Sequence, residues 1–145
     1  MRHLNKFALP LCIALVLVSA GCRAEPETGT TGTTGTAVRV TDVTLGRAIG
    51  GDKAVTDSTD DFKPNDTIYA SIATDGSAAS TTLRALWTYQ DGQVVNDSNR
   101  TIAANNRERT EFHISKPGGF PTGNYEVEIF LDGRSVEKKK FEVKD

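Results

Sequence analysis

The chain has 145 residues, 17 Lys and Arg against 19 Asp and Glu, and a formal charge of −2 at pH 7. That acidic balance argues against nucleic acid as a partner, because phosphate contacts need a basic face. With 2 Cys and 2 His in all, a zinc-type ligand set is out of reach, and no cofactor is expected.

Arg2, His3 and Lys6 give a positive start, and Phe7 to Val18 is a nearly unbroken apolar run closed by small residues, which is the layout of a secretory signal. The run is shorter than the ~20 apolar residues of a membrane-spanning helix and contains Pro10. Residues 1–21 are therefore expected to be a signal that is removed, taking Cys12 with it. Ser19-Ala20-Gly21-Cys22 resembles the bacterial lipobox, although the position three before the Cys is Ser19 where Leu is usual. The resemblance implies a diacylglyceryl group on the Cys22 sulfur, cleavage just before it, and the membrane as a partner through the N-terminal lipid. Each buried CH₂ contributes about 0.8 kcal/mol, so two or three chains hold durably. Arg23 follows, where Asp would favour inner-membrane retention. The same resemblance thus implies an outer membrane, facing the periplasm, in a two-membrane envelope. The alternative is ordinary cleavage near Ala20 or Ala24 with Cys22 left as a free thiol.

Residues 22–36 hold the Cys, a short acidic piece with Pro26, and a Thr/Gly repeat with nothing apolar to bury, which predicts a flexible tether. Random-coil scaling gives it a reach of roughly 20 Å. Residues 37–145 are the size of one sandwich domain.

Throughout that domain the apolar period is two, and no stretch carries a helical repeat, so the expected class is all-β. Val38 and Val40 alternate on one parity and Val43 and Leu45 on the other, predicting a kink near Thr41 and Asp42. Lys63-Pro64-Asn65-Asp66 opens a strand with Ile68, Ala70 and Ile72 inward. Leu83, Ala85, Trp87 and Tyr89 form the next inward row, ending at the hairpin signal Asp91-Gly92. Val94, Val95 and Ile102 mark shorter strands. Phe112 and Ile114 precede a loop rich in Pro and Gly over 116–123, and Tyr125, Val127, Ile129 and Leu131 run to the turn at Asp132-Gly133. A two-residue turn there keeps Val136 inside but drives Lys138 and Lys140 inward. A bulge between Glu137 and Lys140 is expected to return Phe141 and Val143 to the core and leave the lysines as edge protection.

About seven strands, a lone Trp on the third and a Gly-x-Tyr-x-Val stretch at Gly123 to Val127 resemble immunoglobulin-like or fibronectin-type sandwiches. The resemblance implies a single antiparallel immunoglobulin-like β-sandwich in which Trp87 fills the centre. Tyr125 would then be the corner tyrosine that bonds back to the chain before its strand. This fold hosts many unrelated functions.

The chemistry is sparse. His113 lies between inward residues and so faces solvent, which gives a nucleophile no base. Ser135-Val136-Glu137-Lys138 matches a bare Ser-x-x-Lys pattern, but on a regular strand the two side chains point oppositely. Asp57, Thr59 and Asp61 alternate like the start of a calcium loop, yet Phe62 stands where Gly is needed and Ile68 at the twelfth position. Asp57 and Asp61 are thus a weak calcium pair in a solvated loop. Glu126 and Glu128 share an outward face and are expected to pair with Lys138 or Lys139. Tyr69, Phe120 and Phe130 are the rings placed to anchor a ligand.

The expected function is a non-enzymatic, lipid-anchored envelope protein that presents the domain to an envelope protein. A carbohydrate-binding or adhesive module using surface aromatics is the alternative, and a small envelope hydrolase the remote one.

Overall fold

The inward rows read from the alternation become the two walls of one core. The computed structural model describes residues 36–145, so the readings made for the signal segment, Cys22 and most of the tether lie outside the described residues. Nine strands are formed: β1 (Arg39–Ile49), β2 (Val55–Ser58), β3 (Asp61–Phe62), β4 (Ile68–Asp75), β5 (Ser77–Tyr89), β6 (Gln93–Asn105), β7 (Glu108–Ile114), β8 (Gly123–Leu131) and β9 (Arg134–Val143). They make a four-stranded sheet, β2-β1-β4-β7, and a five-stranded sheet, β3-β9-β8-β5-β6. All pairings are antiparallel except the short β3, which runs parallel to the end of β9.

Between the sheets lie Val43 and Leu45 from β1, Ile68, Ala70 and Ile72 from β4, Leu83, Ala85 and Trp87 from β5, and Val127 and Ile129 from β8. The Trp87 indole has no solvent exposure. Its ring meets Phe141 edge-on at 5.9 Å, and Phe141 stacks on Tyr125 at 5.2 Å. The Trp87 ring nitrogen has no hydrogen-bond partner among the described residues. Leaving such a donor unmet costs about 1–3 kcal/mol, less than the burial of so large a ring returns.

Several expectations survive in detail. The β1 ladder shifts register between Val40 and Asp42, at the kink read from the change of parity. The turn at Lys63 closes with the Asp66 N–H donating to the Lys63 carbonyl at 3.0 Å, while the Asp66 carboxylate accepts from the Lys63 N–H at 2.8 Å.

Two expectations are corrected. Val94, Val95 and Ile102 belong to one 13-residue strand, β6. It was illegible because it ends its sheet, so its Asn, Asp and Ser side chains need no burial. The β8–β9 hairpin pairs Leu131 with Arg134 and Phe130 with Ser135 as expected, but then Ile129 faces Glu137. The bulge therefore falls at Val136, earlier than predicted, and that side chain is 41% exposed instead of inside. One extra residue there restores Phe141 and Val143 to the core and sets Lys138 and Lys140 on the outer face opposite Glu128 and Glu126.

Candidate functional site

Among the described residues, a hollow that combines an aromatic floor with an exposed apolar rim lies where β6 and β7, each the last strand of its own sheet, flank the gap between the sheets. Its volume is about 540 Å³, with Tyr89, Phe120 and Tyr125 inside it and Val94, His113 and Lys116 among the residues that border it.

Local structure accounts for each wall. Gln90 and Gly92 take positive φ values of 47° and 96°, which turns β5 into β6 within a few residues. Immediately afterwards the β5–β6 ladder slips, Trp87 facing Asn96 and Thr88 facing Val94. The slip packs Val95 against the core and leaves Val94 59% exposed. Across the gap, the loop after β7 turns through Gly118 and Gly119, both at φ 85°, a conformation that L side chains rarely take. The Gly119 N–H donates to the Lys116 carbonyl at 2.9 Å and the Phe120 N–H to the Pro64 carbonyl at 2.7 Å, which carries the Phe120 ring inward.

Tyr125 is the corner tyrosine: its hydroxyl donates to the Pro121 carbonyl at 2.7 Å, tying the loop to the start of β8. Tyr89 lies 4.7 Å from the Tyr125 ring, donates to the Thr122 carbonyl at 3.0 Å and accepts from the Gln90 amide at 2.8 Å. Burial, with Tyr89 adding to it, pushes the Tyr125 hydroxyl above the ordinary phenol range. Both phenols are committed to the loop by these bonds, and the floor of the cleft is aromatic and held in place.

The three rings singled out in the sequence do not come together. Phe120 is 4% exposed and packs on Tyr125 at 6.2 Å, so it belongs to the core beneath the cleft and is no surface anchor. Tyr69 is half-buried on the outer face of the four-stranded sheet, 5.4 Å from the His113 ring. Phe130 is half-buried on the outer face of the other sheet, under the Arg84 guanidinium at 4.9 Å. Val94 and Tyr89 were missed. The signal that could have found Val94 is the Val94-Val95 doublet, which breaks the alternation after a turn.

The weak calcium pair dissolves as well. Asp57 on β2 takes the Arg47 guanidinium at 2.9 Å, a bond that holds its carboxyl below the usual range, while Asp61 on β3 takes Lys144 at 2.9 Å. No cluster of three potential metal ligands occurs among the described residues. Ser135 and Lys138, expected on opposite faces, share one because of the bulge at Val136, and both contact Glu128. Glu128 pushes the Lys138 ammonium up from its ordinary value, the opposite of what a lysine base requires. His113 is exposed and holds Glu111 at 2.8 Å through Nδ1.

No protein-family model matches the chain, and no curated relative does. Among solved structures, it is similar to an immunoglobulin-like protein from Pseudomonas aeruginosa, with a TM-score of 0.48 and 16% identity over 74% of this chain and 97% of that one. The C-terminal domain of wzt gives 0.50 and 12% identity over 74% of each chain. A β-glucosidase from Listeria innocua gives 0.50 and 6% identity over 76% of this chain, which spans only 16% of the enzyme's length. The fold is an immunoglobulin-like β-sandwich. At these identities the likeness extends to the fold alone.

Proposed function

We propose that the chain is a non-enzymatic, lipid-anchored binding module of a bacterial envelope, which holds its sandwich on the Thr/Gly tether and engages a protein at the cleft between β6 and β7. The observation that carries this reading is the combination of an exposed Val94 with a rigid aromatic floor, set between two strands that have no neighbour on that side. A single exposed apolar side chain is ordinary, and Val94 matters here because it extends the apolar lining of a preformed hollow. The lipobox-like Cys22 supports the anchor, and a tether of this kind raises the effective concentration of a partner on the same surface. The dispersal of Tyr69, Phe120 and Phe130 over two outer faces and the core leaves the glycan reading without a continuous aromatic strip.

The test uses the chain in its own membranes. A photoreactive residue at Val94 is expected to capture a defined protein that the same residue at Lys144, on the far margin, does not. Cys22→Ala is expected to move the chain from the membrane fraction to the soluble one. Equal capture at both positions ends the cleft reading, and unchanged fractionation ends the anchor.

A further inference from the structure

We infer that the cleft takes an extended acidic segment of a partner protein, which adds as a strand to the free edge of β7 and lowers apolar side chains toward Phe112 and the floor at Tyr89. This inference rests on the cleft being the partner-binding site, and it specifies what the partner must look like.

The first support is topological. In constant-type immunoglobulin sandwiches one sheet has four strands, and its last member pairs with the strand corresponding to β7. Here β1, β4 and β7 occupy the first three of those positions, while the chain after β5 is spent on β6, which joins the other sheet. The far edge of β7 thus has no strand beside it among the described residues. Its ladder to β4 runs from Ile68 opposite Ile114 to Thr74 opposite Glu108 without a register shift, so the edge is straight. The facing edge of β6 is broken by the slip at Val95, right where it meets the cleft. A straight edge accepts a strand, and a bulged edge resists one.

The second support is charge. Along the β6–β7 margin stand Arg100, Arg107, Arg109 and Lys116, none of which forms an ion pair among the described residues. Of the acids on the same margin, Asp97 is held by Arg84, which leaves Glu108 and Glu111, and Asp52 lines a hollow together with Arg109. Four cations without an ion pair against two free acids make this margin locally basic in a chain whose formal charge is −2. The Arg100 guanidinium lies 5.7 Å over the Phe112 ring, at the seam between the sheets.

The third support is the alternation of β7 itself. Thr110, Phe112 and Ile114 are buried on its inner face, and Arg109, Glu111 and His113 alternate with them on the outer face. A strand laid alongside presents its own side chains in the same rhythm, so the matching segment alternates apolar residues with acids, one falling beside Arg109, while Glu111 is the one like charge on that face. A sugar fits less well. Stacking needs open ring faces, and of the three floor rings Tyr89 alone keeps partial exposure, Phe120 and Tyr125 being 4% and 3% exposed.

The experiment titrates the isotope-labelled full chain with a blocked octapeptide alternating Glu and Leu, and with its counterpart in which Lys replaces Glu. The Glu peptide is expected to shift the amides of β7 and to slow their hydrogen exchange by about tenfold at saturation. Arg109→Glu with Arg100→Glu is expected to weaken that peptide by about tenfold and to strengthen the Lys peptide. Arg109→Gln, milder for folding, is expected to give part of the same loss. Equal binding of both peptides, shifts confined to β6 or to the Tyr69 face, or no shift at millimolar peptide each overturn the inference. So does a glycan as the adduct at Val94. If Val94 still captures a protein while the Glu peptide leaves β7 untouched, the peptide chemistry is wrong and the binding-module reading stands. If neither occurs, both fall.

Discussion

The two margins of the sandwich are finished in opposite ways. On the margin of β2, β3 and β9, the end of β9 is covered by β3, the lysine-bearing part is bulged at Val136, and the charges are matched in pairs, Asp57 with Arg47 and Asp61 with Lys144. On the margin of β6 and β7 neither strand has an outer neighbour among the described residues, Arg100, Arg107, Arg109 and Lys116 form no ion pair there, and Val94 is exposed. Edge protection by lysine, bulge and short strand is the ordinary defence of a β-protein against pairing with other chains. Its presence on one side and its relaxation on the other are what the proposed function requires, a protected margin and one open to contact.

The largest expected effect removes the support shared by both margins. Trp87→Ala should lower stability by about 3–5 kcal/mol, read as a drop in the denaturant midpoint, because the void it leaves lies against Phe141 and between the sheets. A loss under about 1 kcal/mol would mean that the core does not depend on this ring.

Next comes a change confined to the open margin. Tyr125→Phe deletes the hydroxyl that donates to the Pro121 carbonyl and should cost about 1–3 kcal/mol. Amide exchange of the loop after β7 should quicken while that of β9 stays as it was. Equal loosening of both margins would erase the contrast drawn here.

The β8–β9 turn gives a pH test of the guarded side. The Asp132 carboxylate accepts from the Thr82 backbone N–H and the Thr81 hydroxyl, both at 2.8 Å, and these bonds hold it below the usual carboxylate range, the backbone bond most. Because its folded value is depressed, its contribution is complete above the unfolded value of about 3.9 and is lost as pH falls through the folded one. Asp132→Asn should therefore flatten the stability profile below about pH 4, and an unchanged acid limb would remove Asp132 from the account.

The smallest effects belong to the surface ion pairs. Arg47→Ala should leave the denaturant midpoint almost where it is, since its pair with Asp57 is well exposed. Millimolar calcium should leave the melting temperature where it is. A rise of several degrees would restore the acidic loop as a cation site.

What could be read from the sequence follows from which residues carry their own signal. Inward rows such as Leu83, Ala85 and Trp87 declare themselves by alternation, whereas the corner role of Tyr125 came only from the resemblance of the Gly123–Val127 stretch to immunoglobulin-like sandwiches. The kink near Thr41 showed as a change of parity. The bulge at Val136 was placed too late because several positions restore Phe141 to the core, and the choice depends on how Glu128 meets Ser135 and Lys138 across the hairpin. The cleft itself had no local signature. Tyr89, Val94, Phe120 and Tyr125 are brought together only by sheet pairing and by the loop bonded to Pro64, so no window of sequence contains the site.

The first described residues enter the sandwich through a fixed doorway. The Ser77 N–H donates to the Thr36 carbonyl at 2.8 Å, and Gly76, at φ 118°, lies so close beneath that a methyl there would come within 2.6 Å of the Ala37 carbonyl oxygen. Whatever pulls on the chain ahead of Thr36 therefore acts at one point, at the junction of β4 and β5, strands that belong to different sheets. A tug on that lead meets the bond to Ser77 first and the β1 ladder, which begins at Arg39 opposite Asp75, only after it.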